Sequence, residues 1–380
     1  MTIVEEAIPR AKETLMFCST PDGMFASGGK GGYDSVFARD SMIGLIGASC
    51  YDWKHEFKIQ FATTLNLLAR HQSKHGQIPN CVDLFSDRPD QVTFATIDSS
   101  LWYLLGLQFY RYNYKDRRLF SRHRKRVKKT FAWLGCQDAG EDGLPEQLPT
   151  SDWQDAFPHK YGHTINTIAL YYANLRLYGK EAERQGVMEA ISGRTQSKIL
   201  MFNKKKGYFY PWVWKNHDGD IEQEQWFDSL GNLLAVCSGL ATPSQANTIL
   251  DFVKSRGVAK PYPVRAIYPP IKRKDREWHS YFGKCLAKKP HWYLNGGIWP
   301  YIGGFYVASL VKAGRFEEAR KQLSLLAEVN KLGAEKQWEF NEWVHPIKKK
   351  AMGSPYHAWS AGSFLFALTS LELKQLPLLG

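Results

Sequence analysis

Six clusters mixing Asp, Arg, Asn or His with aromatic residues and glycine recur along this chain at intervals of roughly 60–70 residues: FARDS (37–41), TIDSSLW (96–102), KYGHT (160–164), WFDSLGN (226–232), NGGIWP (295–300) and HAWSAG (357–362). Each opens an apolar stretch with helical spacing, and the stretch after it is more charged, as in RFEEARKQLSLLAEV. Counting both kinds, periodicity predicts twelve helices, near 4–17, 34–48, 54–71, 96–112, 117–134, 161–178, 182–201, 226–239, 243–255, 299–313, 315–330 and 356–372. Alternating apolar and amphipathic helices bury their faces well when hairpins stack into a closed ring with the apolar helices inside. The expected fold is all-α, an (α/α)6 toroid of six hairpins forming a single domain over residues 1–380, with an open helical solenoid as the competitor. In the closed ring the starts of the inner helices, and so all six clusters, meet on one face. Two further segments, GYFYPWVW (207–214) and KPYPVRAIYPP (260–270), predict extended loops or short hairpins, because proline removes a ladder donor.

With 44% hydrophobic residues the chain can bury a large core. The six cysteines, at 18, 50, 81, 136, 237 and 285, form no CxxC pair and no zinc-spaced group with histidine, so they read as reduced, mostly buried thiols. The start MTIVEEAIPRAKETL lacks a basic segment followed by an apolar one, and no run approaches the ~18 apolar residues of a spanning helix. A soluble, cytoplasmic protein without metal or organic cofactor is expected. The formal charge is +13, with ten Lys/Arg between 111 and 129 and triplets at 204–206, 272–274 and 348–350. No helix-turn-helix, zinc finger or aromatic RNA platform accompanies them, so the stripe reads as a solvated helix face, with nucleic acid as the less favoured partner.

Carboxylates are costly to bury alone, yet Arg39, Asp40, Asp98, Asp155, Asp228, Asn295 and Glu342 sit among Trp and Gly at corresponding places in the repeat. A shared polar pocket walled with aromatics explains this better than core filling. Thirteen tryptophans and nineteen tyrosines suit a sugar, whose apolar faces lie on flat rings while charged groups bond its hydroxyls. Hydrolysing a glycosidic bond takes two carboxyl groups, one protonated and one ionised. In WQDAFPHKYGH (153–163), Asp155 is the acid candidate because Trp153 and Phe157 flank it and an apolar wall raises a carboxyl pKa; Asp152 is its rival, and a capping role its structural alternative. Glu339 and Glu342 of WEFNEWVHP (338–346) both qualify as the second carboxylate, and spacing does not choose between them.

Taken together, YDSVFARDS, TIDSSLWYLLGL, WQDAFPHKYGHT, FDSLGNLLAVCSGLATPSQA, NGGIWPYIGG and FNEWVHP with AWSAG resemble the six-hairpin glycoside hydrolases, a group that includes neutral/alkaline invertases, mannosylglycerate and glucosylglycerate hydrolases and amylo-α-1,6-glucosidases. The resemblance runs from about residue 20 to 372. It implies an inverting mechanism with Asp155 as general acid and Glu342, rather than Glu339, as general base, their carboxyls about 6.5–9.5 Å apart. By the same resemblance Arg39 and Asp40, Asp98 with Trp102, and Asn295, Gly296, Gly297 and Trp299 hold the terminal sugar. Tyr33, Phe37, Trp153, Gln154, Tyr161 and Trp359, from the same motifs, complete the expected binding set. The three lysines at 348–350 and the basic, aromatic segment PYPVRAIYPPIKRKDREWHS depart from the pattern and point to an unusual leaving-group side. The substrate expected is a small α-glucoside or oligosaccharide cut as by an α-glucosidase or amylo-α-1,6-glucosidase. Sucrose, a glycosylglycerate and non-catalytic sugar binding are the alternatives.

Overall fold

Why the ring closes is visible in a computed structural model that describes residues 1–28, 33–52, 54–83, 91–194, 198–216 and 218–380. Its twelve α-helices among the described residues fall into two sets. The first set is α2 (Ala38–Cys50), α4 (Asp98–Tyr114), α6 (Ile165–Leu177), α8 (Ser229–Ser238), α10 (Pro300–Lys312) and α12 (Ala358–Leu373), buried on nearly every side. Each packs on the next, α2 on α4, α4 on α6, α6 on α8, α8 on α10, α10 on α12, and α12 returns to α2. This is the closed inner ring of an (α/α)6 toroid, which sets aside the open solenoid.

The second set, α1 (Ile3–Cys18), α3 (Lys58–Arg70), α5 (Arg117–Gly135), α7 (Glu181–Ala190), α9 (Pro243–Ser255) and α11 (Phe316–Lys331), wraps the outside. These helices bury one stripe only. In α5 the stripe is Leu119, His123, Val127, Thr130 and Leu134, and most of the basic residues between them face outward, as expected for a solvated helix face. Several outer helices start on local signals: capping boxes at Thr2/Glu5 and Thr242/Gln245, the latter followed by Pro243, and Asp116 accepting from the backbone of Arg118 and Leu119.

The expected helices are all present, but their starts and ends shift for a tertiary reason. Short bridges tie the segments ahead of the inner helices to neighbouring loops: Val36–Phe37 to Cys81–Val82, His163–Thr164 to Trp212 and Val213, and Phe227–Asp228 to Ile267–Tyr268. Hence α2, α6 and α8 begin later than periodicity suggested. The segments 207–214 and 260–270 supply partners for these bridges. The helix expected over 182–201 ends at Ala190, because Ser192 bridges Leu200 and Met201 donates to the Ile191 carbonyl; residues 195–197 of that expectation lie outside the described residues. The six cysteines are free thiols, with Cys136 exposed, Cys50 and Cys285 half-buried and the others buried. No helix among the described residues is long and apolar enough to cross a membrane.

Closure rests on one close backbone approach. A Cβ on Gly47 of α2 would lie 1.7 Å from the carbonyl oxygen of Gly362 in α12, and one on Gly362 would lie 2.4 Å from that of Gly44. Any side chain there pushes the two helices apart. Gly47→Ala is expected to destabilise the fold by about 3 kcal/mol, the upper part of the usual range for overpacking, read as a lower urea midpoint; an unchanged midpoint would refute this account of closure.

Candidate active site

Five of the six inner helices, all but α8, start without a side-chain cap. Their N-terminal ends, each carrying partial positive charge, collect on one face of the ring. Acidic residues stand in the first turns there: Asp40 in α2 and Asp98 as the first residue of α4. Arg39 joins them. Its Nη1 donates to both carboxylate oxygens of Asp98 (3.2 and 3.1 Å), Nε lies 3.9 Å from Asp40, and Nη2 lies 3.8 Å from Asp155. One guanidinium thus faces three carboxylates from two helices and a loop.

The neighbouring carboxylates have partners of their own. Asp152 is wholly buried and ion-paired to Lys160 Nζ at 2.8 Å, and Lys160 also reaches Asp228 at 3.0 Å. Asp228 in turn caps α8 through the Gly231 N–H. Lys160 therefore clips the loop carrying Asp155 to the start of an inner helix. Glu339 accepts from three backbone N–H groups, those of Ala334, Glu335 and Lys336, at 2.7–3.0 Å. Both Asp152 and Glu339 are engaged in holding loops. Asp155, half open, stands beside Arg39, and Glu342, buried, is bonded by Tyr33.

Asp155 has protein around it on nearly every side, yet 51% of its side-chain surface is open, as for a group lining a recess. Burial raises its carboxyl to about 6, opposed by Arg39 and assisted by Asp98 and Asp152. Glu342 Oε2 accepts the Ser354 N–H at 3.2 Å and Oε1 accepts the Tyr33 hydroxyl at 3.4 Å. Burial carries Glu342 to about 7, opposed by the Ser354 bond and assisted by the charges of Asp40 and Asp155. Asp40 is likewise raised to about 7 by burial, against the pull of Arg39. Gly353 makes the Glu342 arrangement possible: it sits at φ +72, and a Cβ there would lie 2.2 Å from Glu342 Oε2.

A continuous aromatic wall lines this face. Phe37 meets Tyr33 (5.6 Å), Tyr33 meets His357 (5.8 Å), His357 stacks on Trp359 (4.5 Å) and Trp359 on Tyr301 (4.3 Å). Trp153 and Trp299 close the set edge-on, 5.6 Å apart. Buried polar atoms along it have no hydrogen-bond partner within the protein: both ring nitrogens of His357, both ends of the Gln154 amide, the indole N–H groups of Trp153 and Trp359, and the Tyr301 hydroxyl. Such a concentration marks a surface built to bond something else.

Four expected binding residues do not join this recess. Asn295 is fully buried, its amide bonded to the backbone of Ile271 and Ala287, and Gly296 turns the same loop at φ +86. The NGG segment serves by shaping its loop. Trp102 points into the apolar interior of the ring, against Phe305. Tyr161 lies with Trp212 and Trp214, its hydroxyl donating to Glu222 at 2.5 Å. Tyr293, Tyr301 and His357 are added. The available signal was their place in or just before the first turn of an apolar helix, or, for Tyr293, in the loop ahead of one.

The fold is that of solved toroid glycosidases. The chain aligns with the GH63 mannosylglycerate hydrolase from Thermus thermophilus at a TM-score of 0.73 and 15% identity, covering 94% of this chain and 99% of that one. With a rhamnosidase from Klebsiella oxytoca the TM-score is 0.63 at 16% identity, covering 96% and 63%. Sequence narrows the class. The profile of a glycoside hydrolase family, alkaline and neutral invertase, matches residues 160–372, and the chain belongs to that family. The matched region includes Glu342 and begins five residues after Asp155. Probable alkaline/neutral invertase D of Arabidopsis thaliana is 32% identical over 329 residues, 73% of this chain and 60% of that protein. Probable alkaline/neutral invertase A, chloroplastic, of the same plant is 25% identical over 341 residues, 74% and 52%. The chain spans about half the length of the curated relatives it matches.

Replacing Lys160 by Met leaves Asp152 and Asp228 buried without their cation. A loss of about 3–5 kcal/mol is expected in denaturant unfolding, with a cost under 1 kcal/mol as the contrary result.

Proposed function

We propose that this chain is an inverting glycoside hydrolase that removes a glucose-like residue from the non-reducing end of a small carbohydrate, with Asp155 as general acid and Glu342 as general base. The observation that carries the reading is the recess itself. Two carboxyl groups with raised pKa values, each sensing negative charge from its neighbours, stand beside an aromatic wall whose indole, amide and imidazole groups have no partner in the protein. A pyranose supplies both halves of what that wall lacks: apolar faces for the rings and hydroxyls for the polar atoms.

In this mechanism Asp155 gives its proton to the leaving oxygen while Glu342 takes one from a water attacking the anomeric carbon from the other side. Arg39, 3.8 Å from Asp155, offsets the negative charge that the acid acquires. Tyr33 and the Ser354 N–H hold the base carboxylate by one oxygen each. Asp40 and Asp98 are placed beside Arg39 to bond sugar hydroxyls. Family membership and the names of the curated relatives put sucrose first among substrates, ahead of the α-glucoside that the motifs alone favoured. The glycerate-bound mannosylglycerate hydrolase among the structural neighbours supports keeping a glycosylglycerate in the test.

Sucrose, maltose, isomaltose and glucosylglycerate are the panel, with wild type, Asp155→Asn and Glu342→Gln. Each substitution is expected to lower kcat/KM by at least ~10²–10⁴-fold on the substrate that turns over. Proton NMR should show the β-anomer of glucose first. Turnover surviving both substitutions, or α-glucose first, would overturn the assignment.

The pH profile follows from the two groups. The base must be ionised, so activity rises with pH as Glu342 loses its proton; the acid must be protonated, so activity falls with pH as Asp155 loses its own. With Asp155 near 6 and Glu342 near 7 in the free protein, kcat/KM should be bell-shaped with its maximum between those values. At most about a tenth of the enzyme then carries the productive protonation state, and the two limbs belong to the coupled pair. A rate still climbing above about pH 9 would contradict this.

A further inference from the structure

The outer wall does not carry its charge evenly. On α1, α7 and α11 cations are matched by acids: Arg10 with Glu13 (2.8 Å), Lys331 with Glu6 (3.0 Å), Arg184 with Glu181 and Arg320 with Glu317. The neighbouring helices α3 and α5 contain no Asp or Glu at all. Nine of the ten Lys/Arg between 111 and 129 are exposed, and none of the ten has an ion-pair partner among the described residues. The turn after α3 enlarges the patch. Gln72 donates to the Arg126 carbonyl at 3.0 Å and to Thr130 Oγ1 at 2.9 Å, which seats this turn, with exposed Arg70 and Lys74, against α5.

Solvation explains why these side chains face outward, but not why their acids are missing. Along α5, Arg118 and Arg122, Arg122 and Arg126, Arg124 and Lys128, and Lys125 and Lys129 each stand four residues apart. Like charges at that spacing destabilise a helix about as much as opposite charges support it. The helix therefore forms against its own repulsion, held by the buried stripe from Leu119 to Leu134. A polyanion laid on the face would relieve that repulsion.

We propose that the wall formed by α3 and α5 is a docking surface for a bilayer containing anionic lipid. The shape of the surface selects this partner. α5 is packed along its whole length of about 28 Å, so it lies flat on the wall and projects into no groove, as a helix reading duplex nucleic acid must. Single strands are held by bases stacked on aromatic rings, and across α3, α4 and α5 the one exposed aromatic is Tyr112, with the Lys115 ammonium 4.4 Å from its ring centre. A headgroup plane asks only for cations along a line, each contributing about fivefold in affinity. At the end of the wall away from the recess, Ile59 (80% exposed) and Tyr112 (46%) offer side chains suited to the headgroup layer. Docked this way, the ring meets the bilayer along its side and the recess face stays open to water.

This inference is independent of the hydrolase reading, and its test needs no turnover. The full chain is sedimented with vesicles of phosphatidylcholine alone and of equal parts phosphatidylcholine and phosphatidylserine. Two triple variants are compared with wild type: Arg122→Gln with Lys125→Gln and Lys129→Gln on α5, and Lys204→Gln with Lys205→Gln and Lys206→Gln, which removes the same charge from an exposed turn elsewhere. Wild type should bind only the vesicles with phosphatidylserine and be released near 1 M salt, where the screening length falls to ~3 Å. The α5 variant should bind about a hundredfold more weakly, with a thermal midpoint no lower than that of wild type, and the 204–206 variant should stay close to wild type. Absence of binding by wild type would overturn the proposal, as would equal losses in the two variants, which would make net charge the cause. Displacement from the vesicles by duplex DNA or RNA at the same salt would transfer the surface to nucleic acid. A lower midpoint in the α5 variant would mean that these cations serve the fold, and would remove the premise.

Discussion

The charge balance around Arg39 is what the rest of this face depends on. A single guanidinium, itself buried, is bonded to Asp98 through two oxygens and lies within 4 Å of Asp40 and Asp155. Four carboxyl groups, counting Glu342, share this one cation, and burial with mutual repulsion raises Asp40, Asp155 and Glu342 above the usual carboxylate range. Part of the population therefore keeps a proton on these groups at pH 6–7. Acid chemistry and base chemistry become available from the same residue type, because burial and mutual repulsion, not the side chains themselves, determine which carboxyl holds its proton.

The toroid makes such a concentration of charge tolerable. Six inner helices point their N-terminal ends at one face, and five of them leave their first N–H groups without a side-chain cap. Their summed dipoles favour negative charge there. The outer wall is different. Its helices are capped locally where caps occur, and it carries much of the excess basic charge on α5, far from any need to balance the carboxylates of the recess.

Rigidity on this face comes from loops that are clipped, each by a carboxylate close in sequence to a candidate one. Asp152 and Lys160 hold the loop of Asp155; Glu339 holds the loop of Glu342 by accepting from three successive N–H groups. Each candidate thus has a neighbour of the same type a few residues away in structural service. That pairing explains why carboxylate spacing was ambiguous. Glu339 and Glu342 differ in sequence only by context, and in the structure by which backbone surrounds each.

Much of this was legible in the chain itself. The number of helices, their inner and outer alternation and the gathering of six clusters follow from local periodicity, because burial on all sides and burial on one stripe write different patterns. Asp155 and Arg39 were legible for the same reason, as charged residues in apolar surroundings. Which residues face the recess was decided by tertiary contacts. Asn295 turned away because two backbone segments from elsewhere take up its amide, and Trp102 because the ring's interior needed filling. The late starts of α2, α6 and α8 reflect bridges to strands distant in sequence. Tyr293 had only its place ahead of an apolar helix to mark it; the folded loop sets its ring against Trp299 and Trp343. Sequence thus determined what kinds of groups would meet on one face, since that depends on short-range periodicity, whereas the bonds each group makes depend on partners tens to hundreds of residues away, and only the closed ring could choose them.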